Sequence, residues 1–247
     1  MSQPISLLIC ALGGEGGGLF SEWLMHTARL SGYPAQSTSI PGVAQRTGAT
    51  TYYIEVLPTP LVQLQGKTPV FSLNPVPGAL DALVSSELLE TARQITLGLV
   101  SPERTQVFSS SARALTTLER MPMGDGRLDS AQLTQVVRQF SKEAHIWDFG
   151  AMAQANGTMV SAVMLGVIAA SGMFPMVREQ YEATIGTGGS SAASLRGFAA
   201  AFERARLACL CGFSLSQAQL GARQSGACHA FGQYGAGRPE RNRRTKR

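Results

Sequence analysis

Charge is scarce in this chain. Asp, Glu, Lys and Arg make up 15% of its 247 residues, against about a quarter in an ordinary globular protein. A surface so poor in charge suggests that a partner covers part of it. The formal net charge of +5 does not indicate a nucleic-acid binder. From Ala236 onward there are six basic residues (Arg238, Arg241, Arg243, Arg244, Lys246, Arg247) and one acid, Glu240. Residues 1–235 therefore carry 15 basic and 15 acidic side chains, and a neutral body has no electrostatic footprint for nucleic acid.

Cysteine and histidine are also few. Cys209, Cys211, Cys228 and His229 lack the paired spacing of two to four residues usual for zinc, and no C-x2-C run offers iron–sulfur ligands. Cys10 falls in an apolar run and reads as a buried small hydrophobe. The histidines His26, His145 and His229 are scattered, and none has an obvious Ser or Cys and Asp partner, so no catalytic set is visible. Met159 to Phe174 is an apolar stretch of sixteen residues without charge, short of the ~20 that a membrane span needs. It reads as a tightly packed buried helix. No basic residue precedes the first apolar run, which argues against a secretory signal.

Strand and helix patterns alternate along the rest. Ile5 to Leu12 is a continuous apolar run, as in a strand buried on both faces. Leu19, Phe20, Trp23, Leu24 and Ala28 then recur with helical period until Gly32 and Pro34. Ala35 to Ile40 and Thr50 to Leu57 read as strands, and Val70 to Leu73 as a short one. A helix is predicted from about Ala79 to Gln94 and a strand over Thr96 to Val100, with Gln106 to Ser109 pairing nearby. Ala131 to Phe140 reads as a helix behind an Asp129-Ser130 cap, and Ile146 to Phe149 as a last strand. From Ala151 to Leu210 the chain is mostly helical. The prediction is an α/β, Rossmann-like three-layer sandwich with a mainly parallel sheet and a helical C-terminal part. The domain spans 1–206, and 207–247 reads as a basic, disordered tail, removable from about Gly212 onward.

Two glycine-bearing loops follow the first two strands. The first is Leu12-Gly13-Gly14-Glu15-Gly16-Gly17-Gly18, and the second is Pro41-Gly42-Val43-Ala44-Gln45-Arg46-Thr47-Gly48-Ala49. Loops after consecutive strands of an open parallel sheet share one edge, where such folds place their sites. The candidate site residues are therefore Gly13, Gly14, Glu15 and Gly16 with Gln45, Arg46 and Gly48. No start within the first loop satisfies G-x-G-x-x-G, and the acid expected about twenty residues on is missing, which argues against a dinucleotide. Gly124-Asp125-Gly126 lacks the Asn-Asn pair of a thiamine diphosphate motif and reads as an ordinary turn. Arg46 could pair with a carboxylate or phosphate through two parallel hydrogen bonds, or fix its loop or a partner's surface. Glu15 could act as a base, although a carboxylate near a helix N-terminus needs no catalytic reason.

The segments A-L-G-G-E-G-G-G-L-F-S-E-W and S-T-S-I-P-G-V-A-Q-R-T-G-A-T-T-Y-Y-I-E resemble the γ-type domain of 2-oxoacid:ferredoxin oxidoreductases. So does A-N-G-T-M-V-S-A-V-M-L-G-V-I-A-A-S-G-M-F-P, and the helix around Ser194 to Phe202 is similar to that family's closing helix. Within the family the likeness is to the β subunit of indolepyruvate oxidoreductase, in the N-terminal half of its long bacterial form. The family usually has glutamine where this chain has Glu15. The resemblance implies a subunit that is inactive alone and has no catalytic or metal-binding residue of its own. Its larger catalytic partner would carry thiamine diphosphate, Mg and iron–sulfur clusters. The assembled enzyme would oxidatively decarboxylate aryl-pyruvates to acyl-CoA and pass electrons to ferredoxin. A cytoplasmic location and no contact with nucleic acid or membrane are expected. A stand-alone Rossmann-like small-molecule or nucleotide-binding module, or a truncated inactive copy, is the alternative.

Overall fold

The structure, a computed structural model, describes residues 2–40, 49–114, 119, 126–186 and 191–212. Six strands form one sheet: β1 (Ile5–Ala11), β2 (Ala35–Ile40), β3 (Thr50–Val56), β4 (Ala82–Ser85), β5 (Gln106–Ser110) and β6 (Glu143–Trp147), in the order β2-β3-β1-β4-β5-β6. β1, β4, β5 and β6 pair in parallel, while β3 runs antiparallel to both β1 and β2. The helices are α1 (Gly17–Leu30), α2 (Leu88–Thr96), α3 (Ser130–Gln139), α4 (Phe149–Ala155), α5 (Val160–Ala170), α6 (Arg178–Ile185) and α7 (Ser191–Gly212).

Side chains of a strand alternate between faces, so β1 feeds two cores. Leu7, Ile9 and Ala11 join Phe20 and Leu24 of α1, Phe149 of α4 and the apolar side chains of α5 on one face. Leu8 and Cys10 join Tyr53, Leu83, Leu88 of α2 and Leu133 of α3 on the other. The sheet thus lies between an α2–α3 layer and a thicker layer of α1 and α4 to α7, as the layer pattern predicts. Burial, and secondarily Glu90, hold the Cys10 thiol well above its ordinary pKa, so it stays a neutral hydrophobe. Helix α5 is buried along Ser161 to Ile168. No single described helix is long and apolar enough to cross a membrane.

Several predicted elements differ. The Ala79–Gln94 helix is instead β4 followed by α2. A run of four buried residues, Ala82 to Ser85, cannot be told from a buried helix turn by periodicity. Glu87 starts α2 by accepting from the Glu90 amide at 2.7 Å. The Thr96–Val100 strand is the end of α2. Gly98 (φ 73°) donates to the Ile95 carbonyl at 2.9 Å and Leu99 to that of Gln94 at 3.1 Å, which is a Schellman closure. Val70–Leu73 forms no strand, since prolines flank it and only Ser72 is pinned, its amide to Glu55 at 2.7 Å and its carbonyl to Gln36 at 3.3 Å. The last strand is Glu143–Trp147. Asp148 then caps α4 by accepting from Ala151 at 2.8 Å, so Phe149 is helical. Asp129 caps α3 as predicted.

The described fold belongs to the unit Met1–Leu210. Helix α7 runs through the predicted boundary at 206 to Gly212. The tail beyond it, with Cys228 and His229, lies outside the described residues.

Candidate functional site

β2 and β1 point the same way because each is antiparallel to β3. Ala11 pairs with Thr50 and Ile40 with Thr51, so the ends of β1 and β2 and the start of β3 sit side by side. The two glycine loops therefore leave from one edge, although their connections differ in kind. The first leads into a helix, while the second joins a hairpin. The same edge carries the ends of β4, β5 and β6, and the crevice beside β1 is where the chain switches sides of the sheet.

The first loop is a turn closed by its own groups. The Glu15 amide donates to the Leu12 carbonyl at 3.1 Å, and Gly14 holds φ 88°, the left-handed third position of a type II turn. The Leu12 amide donates to Glu15 Oε2 at 3.2 Å and to Ser86 Oγ at 3.1 Å. The Ser86 amide in turn reaches the Cys10 carbonyl at 2.9 Å, which ties the ends of β1 and β4 together. Glu15 thus closes its own loop, while Gly13 and Gly14 are exposed.

Gly16 begins α1 in the left-handed region (φ 82°), with no side-chain cap. A β-carbon there would lie 2.8 Å from Ser161 Oγ and 2.9 Å from Met159 Cε, so the start of α5 abuts the start of α1. Helix α5 likewise has no side-chain cap, and neither helix has an acid in its first turn. The first bond inside α1 runs from Phe20 to Gly16 at 2.9 Å. The amides of Gly17, Gly18 and Leu19 consequently have no partner within the helix. Tyr52 of β3 packs under Gly17, its Cε2 2.8 Å from where a β-carbon would be. Together these groups line a cleft of roughly 260 Å³ bounded by the glycines, Thr50, Tyr52 and Met159. Two adjoining, uncapped helix starts make its floor favourable to an anion. The Ser161 hydroxyl beneath is buried without a partner among the described residues.

Sequence reading places the glycines here but misses Thr50, Tyr52, Met159 and Ser161. Tyr52 was legible only as part of an aromatic-rich strand, and Met159 and Ser161 arrive from far along the chain. Gln45, Arg46 and Gly48 lie outside the described residues, although the flanking Ile40 and Ala49–Thr50 put the ends of their loop on this edge. Gly124 and Asp125 also fall outside. Among the described residues, no cluster of three His, Cys, Asp or Glu side chains is placed to hold a metal.

A buried ion-pair network stands at the ends of β4 and β5. Arg113 donates to Glu87 Oε1 at 3.1 Å, to the Leu128 carbonyl at 3.0 Å, and to Glu119. The Ala114 amide adds a bond to Glu87 at 3.2 Å. Burial raises the Glu87 carboxyl above its ordinary range, against the opposing pull of its amide donors and of Arg113. The network secures the chain after β5 to the start of α2.

Residues 6–205 match the family described as Pyruvate ferredoxin/flavodoxin oxidoreductase. Among solved structures, the chain is similar to the γ subunit of a keto/oxoacid ferredoxin oxidoreductase from Geobacter sulfurreducens PCA. That match has 18% identity and a TM-score of 0.54, over 84% of this chain and 99% of that one. It is also similar to pyruvate oxidoreductase subunit PORC from Thermotoga maritima, at 16% identity and a TM-score of 0.53, over 81% and 96% of the two chains. A third likeness is to a 2-oxoglutarate:ferredoxin oxidoreductase from Magnetococcus marinus with 2-oxoglutarate, coenzyme A and succinyl-CoA bound. There the identity is 10% and the TM-score 0.52, over 85% of this chain but 32% of that one. At these identities the likeness is one of fold. A comparison with curated proteins found no match.

Proposed function

The chain belongs to the pyruvate ferredoxin/flavodoxin oxidoreductase family, and on that premise we propose that it is the γ-type subunit of a cytoplasmic 2-oxoacid:ferredoxin oxidoreductase. The holoenzyme decarboxylates an aryl-pyruvate such as indolepyruvate and transfers the acyl group to coenzyme A. Thiamine diphosphate, Mg and iron–sulfur clusters reside on the larger subunit, from which electrons leave to ferredoxin. The single observation that carries this subunit's part is the cleft at the starts of α1 and α5. The amides at the start of α1 that have no partner within the helix suit phosphoryl oxygens, and the cleft's glycines let a ligand approach the backbone. Coenzyme A supplies such anionic groups. In this reading Gly13, Gly14 and Gly16 form the cradle, Glu15 holds the turn in shape, and Gln45, Arg46 and Gly48 complete the edge or its contact with the catalytic subunit.

The test is reconstitution with the thiamine- and cluster-bearing subunit. The pair should reduce a viologen dye in the presence of indolepyruvate and coenzyme A, and neither subunit should do so alone. Arg46→Ala should weaken assembly or turnover by about 1–3 kcal/mol if its contact is charge-assisted, with melting unchanged. Full activity of the larger subunit without this chain would refute the reading.

A further inference from the structure

The end of the sheet opposite the glycine loops carries chemistry that the function above leaves unused. After β3 the chain runs from Leu57 to Leu80 with no α-helix or strand, and its single ionisable side chain is Lys67. Leu61, Val62, Val70, Leu73 and Val76 point outward here, Val62 at 88% and Val70 at 91% exposure. So many apolar side chains in one short segment mark an interaction surface, where singly scattered ones would not. Two cavities open on this end. One of roughly 460 Å³ is walled by Leu57, Leu64 and Val70, and one of roughly 180 Å³ by Val76, Tyr53, Glu55 and Arg104. Pro4 forms part of both walls, so the two cavities adjoin.

Glu55 decides what fits. It is 9% exposed. One carboxylate oxygen accepts from the Tyr53 hydroxyl at 2.5 Å and the other from the Ser72 amide at 2.7 Å. Both donors are neutral. Arg104, on the same cavity, donates to Asp81 at 2.8 Å. The other Asp81 oxygen is taken by the Ser6 amide and hydroxyl at 2.8 and 2.9 Å. Among the described residues the cavity is lined by one carboxylate, Glu55, and one guanidinium, Arg104, whose partner is Asp81, so Glu55 has no cation of its own. A carboxylate withdrawn from water with only neutral donors is complementary to a cation, and an apolar, charge-poor surround is the anatomy of a protein interface.

We infer that this end of the sheet is a docking surface for the larger catalytic subunit, which covers Leu61–Val76 and places a lysine or arginine side chain in the cavity at Glu55. The inference rests on the reading of the chain as a subunit.

The experiment uses the co-expressed complex. Hydrogen exchange should be slower for the amides of residues 61–76 in the complex than in the free chain. The double variant Val62→Asp/Val70→Asp should fail to assemble. Glu55→Gln keeps a carbonyl for the Ser72 amide but loses the charge, and should weaken assembly by about tenfold or more at low salt and less at high salt. Each variant should melt with the parent. Wild-type assembly with no protection over 61–76, or both variants assembling normally, would overturn the inference while leaving the subunit reading intact. A homodimer of the free chain that the aspartates dissolve would assign the face to a second copy and also overturn it. Failure of the wild-type chain to assemble at all would refute the subunit reading, and this inference with it.

Discussion

Adding one methyl group at Gly166 tests how tightly the C-terminal helices are joined. Gly166 is in the middle of α5, where alanine is normally favoured by about 1 kcal/mol. A β-carbon there would sit 2.3 Å from the Phe198 carbonyl oxygen of α7 and 3.0 Å from the Ala201 methyl. The obstacle is backbone, so no rotamer change relieves it and the two helices must part. Overpacking of this kind costs about 1–3 kcal/mol, occasionally more. With the contact this short the upper end applies, and the net loss should be roughly 2 kcal/mol, or about 4–8 °C in Tm for a domain of this size. Gly150 of α4 is the control, because a β-carbon there meets only Asp148 Oδ1, at 3.4 Å. Gly150→Ala should be neutral or stabilising by up to about 1 kcal/mol. Urea unfolding with unchanged m values, together with thermal melts, measures both. A Gly166→Ala variant that melts at or above the parent would refute the close contact of α5 with the α7 backbone.

Gly16→Ala meets both a left-handed backbone and Ser161, and should lose about 1–3 kcal/mol; an unchanged denaturation midpoint would contradict the abutment of α1 and α5. Arg113→Met strands the buried Glu87 carboxylate and should cost about 3–5 kcal/mol. Adding Glu87→Gln should recover part of that loss, and a double-mutant cycle without coupling would remove Arg113 from the network. Burial lowers the His145 pKa, with Glu143 pulling the other way. The unfolded chain therefore takes up its proton first as pH falls. The stability this group contributes is complete above about pH 6.5 and is lost as pH falls through the folded-state value. His145→Phe should flatten the loss of stability between neutral and mildly acidic pH. Parallel pH profiles would sink that assignment.

β1 and β3 were legible because each is an apolar or β-branched run bounded by punctuation, β2 (Ala-Gln-Ser-Thr-Ser-Ile) mainly from the Gly32–Pro34 break before it and Pro41 after it, and the Asp129 cap from its chemistry. The reversal of β3 was not read, yet the signal was present. Nine residues separate Ile40 from Thr50, fewer than the dozen or so that a parallel crossover needs. β4 was lost because four buried residues carry no period. The floor of the cleft was only half legible. Its glycines announce a tight turn, but the approach of Met159 and Ser161 is a tertiary fact with no local trace. The pairing of Glu87 with Arg113 and the isolation of Glu55 depend in the same way on which strands become neighbours.

The reversed strand has a consequence for how this fold can change. A loop that leads into a crossover helix cannot be altered without moving that helix and the core behind it. The segment between β2 and β3 joins two neighbouring hydrogen-bonded strands, whose register is held by ladders on either side of β3. Its length is thus almost free. Lengthening a connection costs little in closure entropy, about 0.6 kcal/mol per doubling for a flexible one, and the two strands it joins keep their register through their own ladders. The second glycine loop is therefore a replaceable cassette on a fixed frame, and exchanging it between related chains is the most economical way to transplant whatever selectivity this edge confers.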